Sequence, residues 1–264
     1  MTALVLRSLG RVRILSASLA LVLAALQLAI IASAASFVAS GNFARLSEVV
    51  PTFVMQMMGP ALTSFPGMVL FAYIDPLIVM LLVQFAIYLA SEPAGEVESN
   101  LVDLLLARPM SRHVIVSRSF LVMAIGTLCM SGAMMTATWT GLWWMAPPAA
   151  QWPETRTVIS FSAHITLIAW CFGGVALAAS GWARRRGAVV GAVGVVAIAA
   201  YLVELLEVMW APARRIAPFS PFHYFSEAGI IAGTAQETRD FAVLGSIVLG
   251  VMALAYWSYQ RRDL

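Results

Sequence analysis

The chain of 264 residues contains no lysine, and all sixteen of its basic residues are arginine. A Walker A phosphate loop needs the lysine of G-x-x-x-x-G-K-[ST], so the chain cannot build one. Charge of either sign is scarce, at 11% of residues against about 25% in soluble domains. Cysteine is limited to two residues, Cys129 and Cys171, which excludes a disulfide scaffold and any C-x-x-C redox pair. Both lie in apolar stretches and read as small buried hydrophobes. Histidine is limited to His113, His164 and His223, far apart and without the H-x-x-x-H spacing of a helical metal site. No dinucleotide fingerprint follows a strand pattern. From these absences neither a catalytic residue set nor a metal site is expected, and no cofactor is expected on this chain.

What is present is hydrophobic: 61% of residues, with a mean hydropathy of +0.87. So apolar a chain cannot stay disordered in water, and the composition points to a polytopic membrane protein. The net charge of +3 and pI near 9.2 could suggest nucleic acid, but the arginines are scattered between apolar blocks and read as topology signals. No nucleic-acid partner is expected; membrane lipid is.

A spanning helix needs about 20 mostly apolar residues. Six stretches qualify, at about 14–37, 68–90, 119–146, 158–183, 187–210 and 241–260. They predict an all-α fold forming a single transmembrane domain over 1–264. With both termini in the cytoplasm, eleven of the sixteen arginines fall inside: Arg7, Arg11, Arg13, Arg108, Arg112, Arg118, Arg184, Arg185, Arg186, Arg261 and Arg262. Residues 45–68 are also apolar, but Pro51, Pro60 and Pro66 argue for an outer loop, with a short re-entrant helix, over a seventh span. Ala32-Ser33-Ala34 resembles a signal-peptidase site, yet the apolar run before it exceeds the usual 7–15 residues, so a retained helix is expected. Leu4, Val5, Leu9 and Val12 can share a face opposite Arg7 and Arg11, which predicts an N-terminal helix lying in the membrane interface. Met55, Met57, Met58 and Met68 could offer soft thioether ligands, but gap-filling is the ordinary role of methionine.

Several polar groups fall inside apolar blocks, where each is costly unless paired. Asp75 precedes Pro76 in the second span, His164 lies in the fourth, and Glu204 and Glu207 share a face of the fifth. Two readings stand. The four groups line a polar vestibule or exit path, or they are helix-end groups that meet interfacial water and pair with Arg214 and Arg215. Gly173 and Gly174 in the fourth span, and Gly187, Gly191 and Gly194 in the fifth, have the spacing of close helix contacts.

The segment between the second and third spans is unlike the rest. Glu92, Glu96, Glu98 and Asp103 precede or enter a leucine run that ends Arg108-Pro109-Met110-Ser111-Arg112. The acids favour the N-terminal side of a short helix. Leu101, Leu104 and Leu105 make an apolar face, Pro109 stops the helix, and Ser111 can cap the next one. A short amphipathic helix between two spans is a plausible docking knob on the cytoplasmic side.

This segment resembles the stretch E-x-E-x-G-T-x-E-L-L-L-x-R-P-V-S-R between the second and third spans of ABC-2 type transporter permeases. The match covers Glu96, Glu98, Asp103, Leu104, Leu105, Leu106, Arg108, Pro109, Ser111 and Arg112. The family's Gly-Thr falls on Asn100 and Leu101 here, a departure at the start of the helix. Ser220-Pro221-Phe222-His223-Tyr224 resembles the family's S-P-F-x-Y segment before the last span. The resemblance implies a permease subunit of an ABC exporter in the cell inner (plasma) membrane. It would be paired with a second permease copy and two ATPase subunits that hold the ATP and Mg. The matched residues would couple to the ATPase. Two other readings are a non-transporting membrane partner of an ATPase, and an integral-membrane enzyme acting on lipid through Asp75, His164 and Glu204.

Overall fold

The computed structural model describes residues 2–41, 64–99, 112–148, 150–207 and 210–261. Within them every regular element is helical: α1 (Thr2–Ala39), α2 (Phe65–Ile74), α3 (Pro76–Ala90), α4 (Glu92–Glu98), α5 (Arg112–Met145), α6 (Thr155–Ser180), α7 (Arg186–Glu207), α8 (Ala211–Ile216), α9 (Glu227–Ala232) and α10 (Glu237–Gln260). Two 3-10 turns, Ala217–Phe219 and Pro221–Tyr224, join α8 to α9. Among the described residues six helical stretches are long and apolar enough to cross a membrane: α1, α2 with α3, α5, α6, α7 and α10. The chain is thus a multi-pass membrane protein, and its six spans match the six apolar blocks of the sequence.

Helix α6 is the hub. It packs against α3, α5, α7 and α10, while α1 lies along α5 on one flank. Its Ile165, Ile168, Cys171 and Leu177 are fully enclosed. Helices α1, α7 and α10 are mostly exposed along their apolar faces, as helices at a lipid boundary are. In hydrocarbon, apolar burial drives no association, so packing and interhelical hydrogen bonds must hold the bundle. Such bonds occur at several levels. Gln27 of α1 is wholly buried and its Nε2 donates to Val69 O at 3.0 Å. Tyr73 and Thr138 hydroxyls meet at 2.9 Å, Ser131 and Thr166 at 2.6 Å, and Ser117 and Tyr256 at 2.6 Å. Trp170 Nε1 donates to Thr127 Oγ1 at 2.7 Å.

Tryptophans mark the two ends of the bundle. Trp143, Trp144, Trp152 and Trp210 are exposed near one end, and Trp182 and Trp257 near the other. Amphipathic indoles favour the two membrane-water interfaces, so this distribution is that of a pair of aromatic belts.

Three details depart from the sequence expectations. The N-terminal dozen residues do not form a separate interfacial helix. α1 runs unbroken for 38 residues, about 57 Å, well beyond a hydrocarbon core of about 30 Å. The apolar face expected on the membrane is turned to the protein: Val5, Leu9 and Val12 pack against the core and Ser8 is buried. The second span is broken at Asp75 into α2 and α3, because Pro76 lacks the amide hydrogen that would continue the helix. The glycines also divide. Gly194 is pressed by Gln84, Gly173 by Met123 and Gly174 by Val251, whereas Gly187 and Gly191 face open space. The proposed re-entrant segment at 45–68 lies mostly outside the described residues, and only its last part enters α2.

A Cβ at position 174 would collide with the stiff, branched Val251 of α10. Gly174→Ala is therefore expected to cost about 1–3 kcal/mol, read as a lower unfolding temperature of the detergent-solubilised protein. Gly187→Ala and Gly191→Ala should leave that temperature unchanged; equal effects at all three sites would contradict this packing.

Candidate functional site

The matched acidic segment begins directly at the end of α3. Ser91 alone separates α3 from α4, and its N–H still bonds Ile87 O at 3.0 Å. Pro93 in the first turn suits a helix start, since its missing N–H would have no intrahelical partner there. Glu92 and Glu96 are four apart and share a face. That face turns inward, and both residues are buried.

Their partner is Arg118 of α5, which is only 3% exposed. Its Nη2 donates to Glu96 Oε2 at 2.8 Å and lies 4.0 Å from Glu92 Oε2. Glu92 Oε1 also faces Arg11 of α1 at 3.7 Å. Glu98 takes a different role: its carboxylate accepts the N–H of Arg186 at 3.0 Å, at the first residue of α7. A carboxylate there satisfies a free helix donor and meets the positive end of the helix dipole. Arg186 in turn reaches back to α3. Its Nη2 donates to Tyr88 O at 2.6 Å, its Nε to Ser91 Oγ at 3.2 Å, and its guanidinium lies 3.7 Å above the Tyr88 ring. Three acids of one short helix are thus tied to α1, α5 and α7.

The sequence reading placed Glu96, Glu98 and Asp103 together on one short helix with the leucine run. Here Glu92, Glu96 and Glu98 belong to a helix of their own, and two of them face the bundle. Asp103, Leu104, Leu105, Arg108, Pro109 and Ser111 lie outside the described residues, and Arg112 is described only as the first residue of α5. The roles of Arg11, Arg118 and Arg186 were missed, because an arginine near a span end reads first as a topology signal. The i, i+4 pair Glu92 and Glu96 was the available clue: two carboxylates on one face of a membrane-edge helix call for a buried cation.

The opposite end holds the other candidates. Asp75 is committed to capping: its Oδ1 accepts Leu77 N at 2.9 Å and Ile78 N at 3.2 Å, starting α3 after the proline break. His164 is fully buried on α6, between Phe225 (ring centroids 5.6 Å) and Phe241 (4.2 Å), with Nδ1 2.8 Å from Ser160 O. Glu204 and Glu207 do come together, and their partner is His223, whose Nδ1 lies 3.1 Å from Glu207 Oε2 and 3.7 Å from Glu204 Oε2. The expected pairing with Arg214 is not made through the carboxylates: Arg214 Nε donates to Glu207 O at 3.1 Å, capping the end of α7.

The segment Ser220–Tyr224 positions His223. Ser220 Oγ donates to Ala200 O of α7 at 3.2 Å and accepts Phe222 N at 3.2 Å. Phe222 then inserts against Phe172 and Tyr201, and Tyr224 Oη donates to Pro218 O at 3.0 Å. His223 and Ser226, with Glu204, Glu207 and Arg214, line a cleft of about 390 Å³. Asp75, Glu204 and Glu227 all lie within electrostatic range of Tyr201, so three of this end's carboxyls share one neighbourhood. His164 contacts instead Ser160, Phe225 and Phe241, and so stands with a different set of residues from Asp75 and Glu204. Compared with family models, with curated proteins and with solved structures, the chain matches none.

Arg118→Met strands the buried Glu96 carboxylate and leaves Glu92 with Arg11 alone; it is expected to cost about 3–5 kcal/mol, measured by denaturant unfolding in detergent. Adding Glu92→Gln and Glu96→Gln should recover most of that loss; a single variant as stable as the parent would remove the clamp from the account.

Glu227 gives a pH signature. Burial, then the nearby Glu204, pushes its carboxyl from an ordinary 4.5 up to about 8. The folded protein therefore holds this proton more tightly than the unfolded chain, so stability is fully present below pH ~4.5 and is lost as pH rises toward ~8. Thermal unfolding from pH 5 to pH 9 should show a declining midpoint that Glu227→Gln flattens; parallel profiles would exclude Glu227 as the cause.

Proposed function

We propose that this chain is the membrane-spanning permease subunit of an ATP-driven exporter of the ABC-2 type, working with a separate ATPase subunit. The observation that carries the reading is the clamp around α4. A seven-residue helix between the second and third spans is pinned by Glu92, Glu96 and Glu98 to α1, α5 and α7. It leads straight into the Leu101–Arg112 stretch whose leucines and Arg-Pro-x-Ser-Arg ending resemble the coupling segment of such permeases. A docking element has to be rigidly joined to the helices it moves, and paired charges with little solvent access supply that rigidity.

The orientation belongs to the same proposal. Arg11, Arg118 and Arg186 gather at the clamp end, and the arginine bias assigns that end, with both termini, to the cytoplasm. The membrane is then the cell inner (plasma) membrane. ATP and Mg belong to two ATPase subunits, and a second copy of the permease completes the assembly. Closure of the ATPase pair would push on residues Glu96 to Arg112. The clamp would pass that displacement to α5 and α7 as a rigid-body shift, leading to alternating access.

The test is direct. The chain is co-expressed with candidate ATPase subunits from the same cell, and the complex is isolated in mild detergent and reconstituted. ATP hydrolysis should rise when the permease is present, and Arg108→Glu with Arg112→Glu should abolish the rise while both proteins remain folded. Undiminished stimulation in that double variant, or failure of any ATPase to co-purify, would overturn the assignment. Transport into vesicles separates a permease from a partner that binds the ATPase and moves nothing.

A further inference from the structure

At the end of the bundle opposite the clamp, Glu204 and Glu207 extend from the last turn of α7 toward His223 on the second 3-10 turn, Pro221–Tyr224. One ligand atom from each residue lies within 4.8 Å of the other two. His223 Nδ1 stands 3.1 Å from Glu207 Oε2 and 3.7 Å from Glu204 Oε2. A tetrahedral zinc with ligand bonds of about 2.0–2.2 Å requires neighbouring ligand atoms about 3.3–3.6 Å apart. The two separations from His223 bracket that value, and the two carboxylate oxygens lie within 4.8 Å of each other, so side-chain adjustment can bring the three atoms onto one ion.

Two further observations favour a cation between them. Glu204 Oε2 is sealed from solvent and accepts no hydrogen bond, an expensive condition for a carboxylate oxygen. Carboxylates also outnumber the cations of the cleft: Glu204 and Glu207 line it together, while Arg214, which lines it too, directs its Nε to the backbone carbonyl of Glu207.

We propose that Glu204, Glu207 and His223 form a binding site for a divalent cation of the zinc class. An imidazole and two carboxylates are a borderline-to-hard donor set that suits Zn²⁺ and disfavours Cu(I), which prefers thiolates and thioethers. Three protein ligands leave a fourth position open, and here it faces the 390 Å³ cleft lined also by Ser226. The ion would staple the end of the fifth span to the turn that leads toward the sixth. The inference stands apart from the exporter reading, since it concerns this chain's own residues and needs no ATPase.

The test uses the full chain in detergent, stripped with a chelator and titrated with ZnCl₂ against a chromophoric competitor. One zinc per chain is expected. His223→Ala, and separately Glu204→Gln with Glu207→Gln, should weaken binding by about a hundredfold or more, at or beyond the upper end of the loss seen when only an outer-shell partner is removed. His223→Cys guards against misfolding as the explanation: it should keep the site, and with Co²⁺ it should add a thiolate-to-cobalt charge-transfer band absent from the parent. No zinc bound by the parent, binding unchanged in His223→Ala, or equal binding of Mg²⁺ and Zn²⁺ would each overturn the site.

Discussion

A guanidinium with almost no solvent access is the constraint around which one end of this protein is arranged. Arg118 sits near the start of α5 among apolar neighbours, where an unpaired cation is untenable. Glu96 supplies the short contact and Glu92 the longer one, and both can do so only if α4 follows α3 at once and turns the same face inward. That requirement fixes the direction of the chain as it leaves the second span. Glu92 then meets Arg11 of α1, and Glu98 meets the first amide of α7. Arg186, whose backbone receives Glu98, closes the circuit by returning its side chain to Tyr88 and Ser91 at the end of α3. A buried ion pair adds little net stability over apolar residues of similar size. What it adds here is geometry: four spans and one short helix hold a single arrangement.

The opposite end follows a different logic. The Glu204, Glu207 and His223 side chains are partly exposed, and aromatic rings carry much of the packing. Phe222 enters between Phe172 and Tyr201, and Phe225 packs on Phe161 and His164. Ser220 and Pro221 set the turn that presents His223 to Glu204 and Glu207. Asp75 belongs to this end as a helix cap made necessary by Pro76.

Much of the architecture was legible because a membrane span is a local property. Twenty apolar residues announce a helix wherever they occur, so each of the six apolar blocks meets a long helix among the described residues, with ends within a few residues except at the first, which starts about ten residues earlier than expected. Some of those misses have definite causes. The N-terminal face of Val5, Leu9 and Val12 suits a membrane surface or a protein groove equally well, and only the presence of the neighbouring helices decides for the groove. Gly173, Gly174 and Gly194 meet neighbours while Gly187 and Gly191 do not, because the same spacing serves a contact within the chain or none. His223 went unpaired in the sequence reading because its carboxylate partners lie on a separate helix, reached only through the Ser220–Tyr224 turn.

Local patterns in the sequence were enough to read a helical membrane protein with six apolar blocks, no Walker A loop, and an acidic, arginine-flanked segment between the second and third blocks. Those features follow from composition and from patterns within about 20 residues. Which charges meet emerged from the packing of the helices: Glu96 with Arg118, Glu98 with the α7 terminus, and His223 with Glu204 and Glu207. The physical reason is distance along the chain. A carboxylate in an apolar setting demands a partner, but the identity of that partner depends on how helices far apart in sequence are packed together.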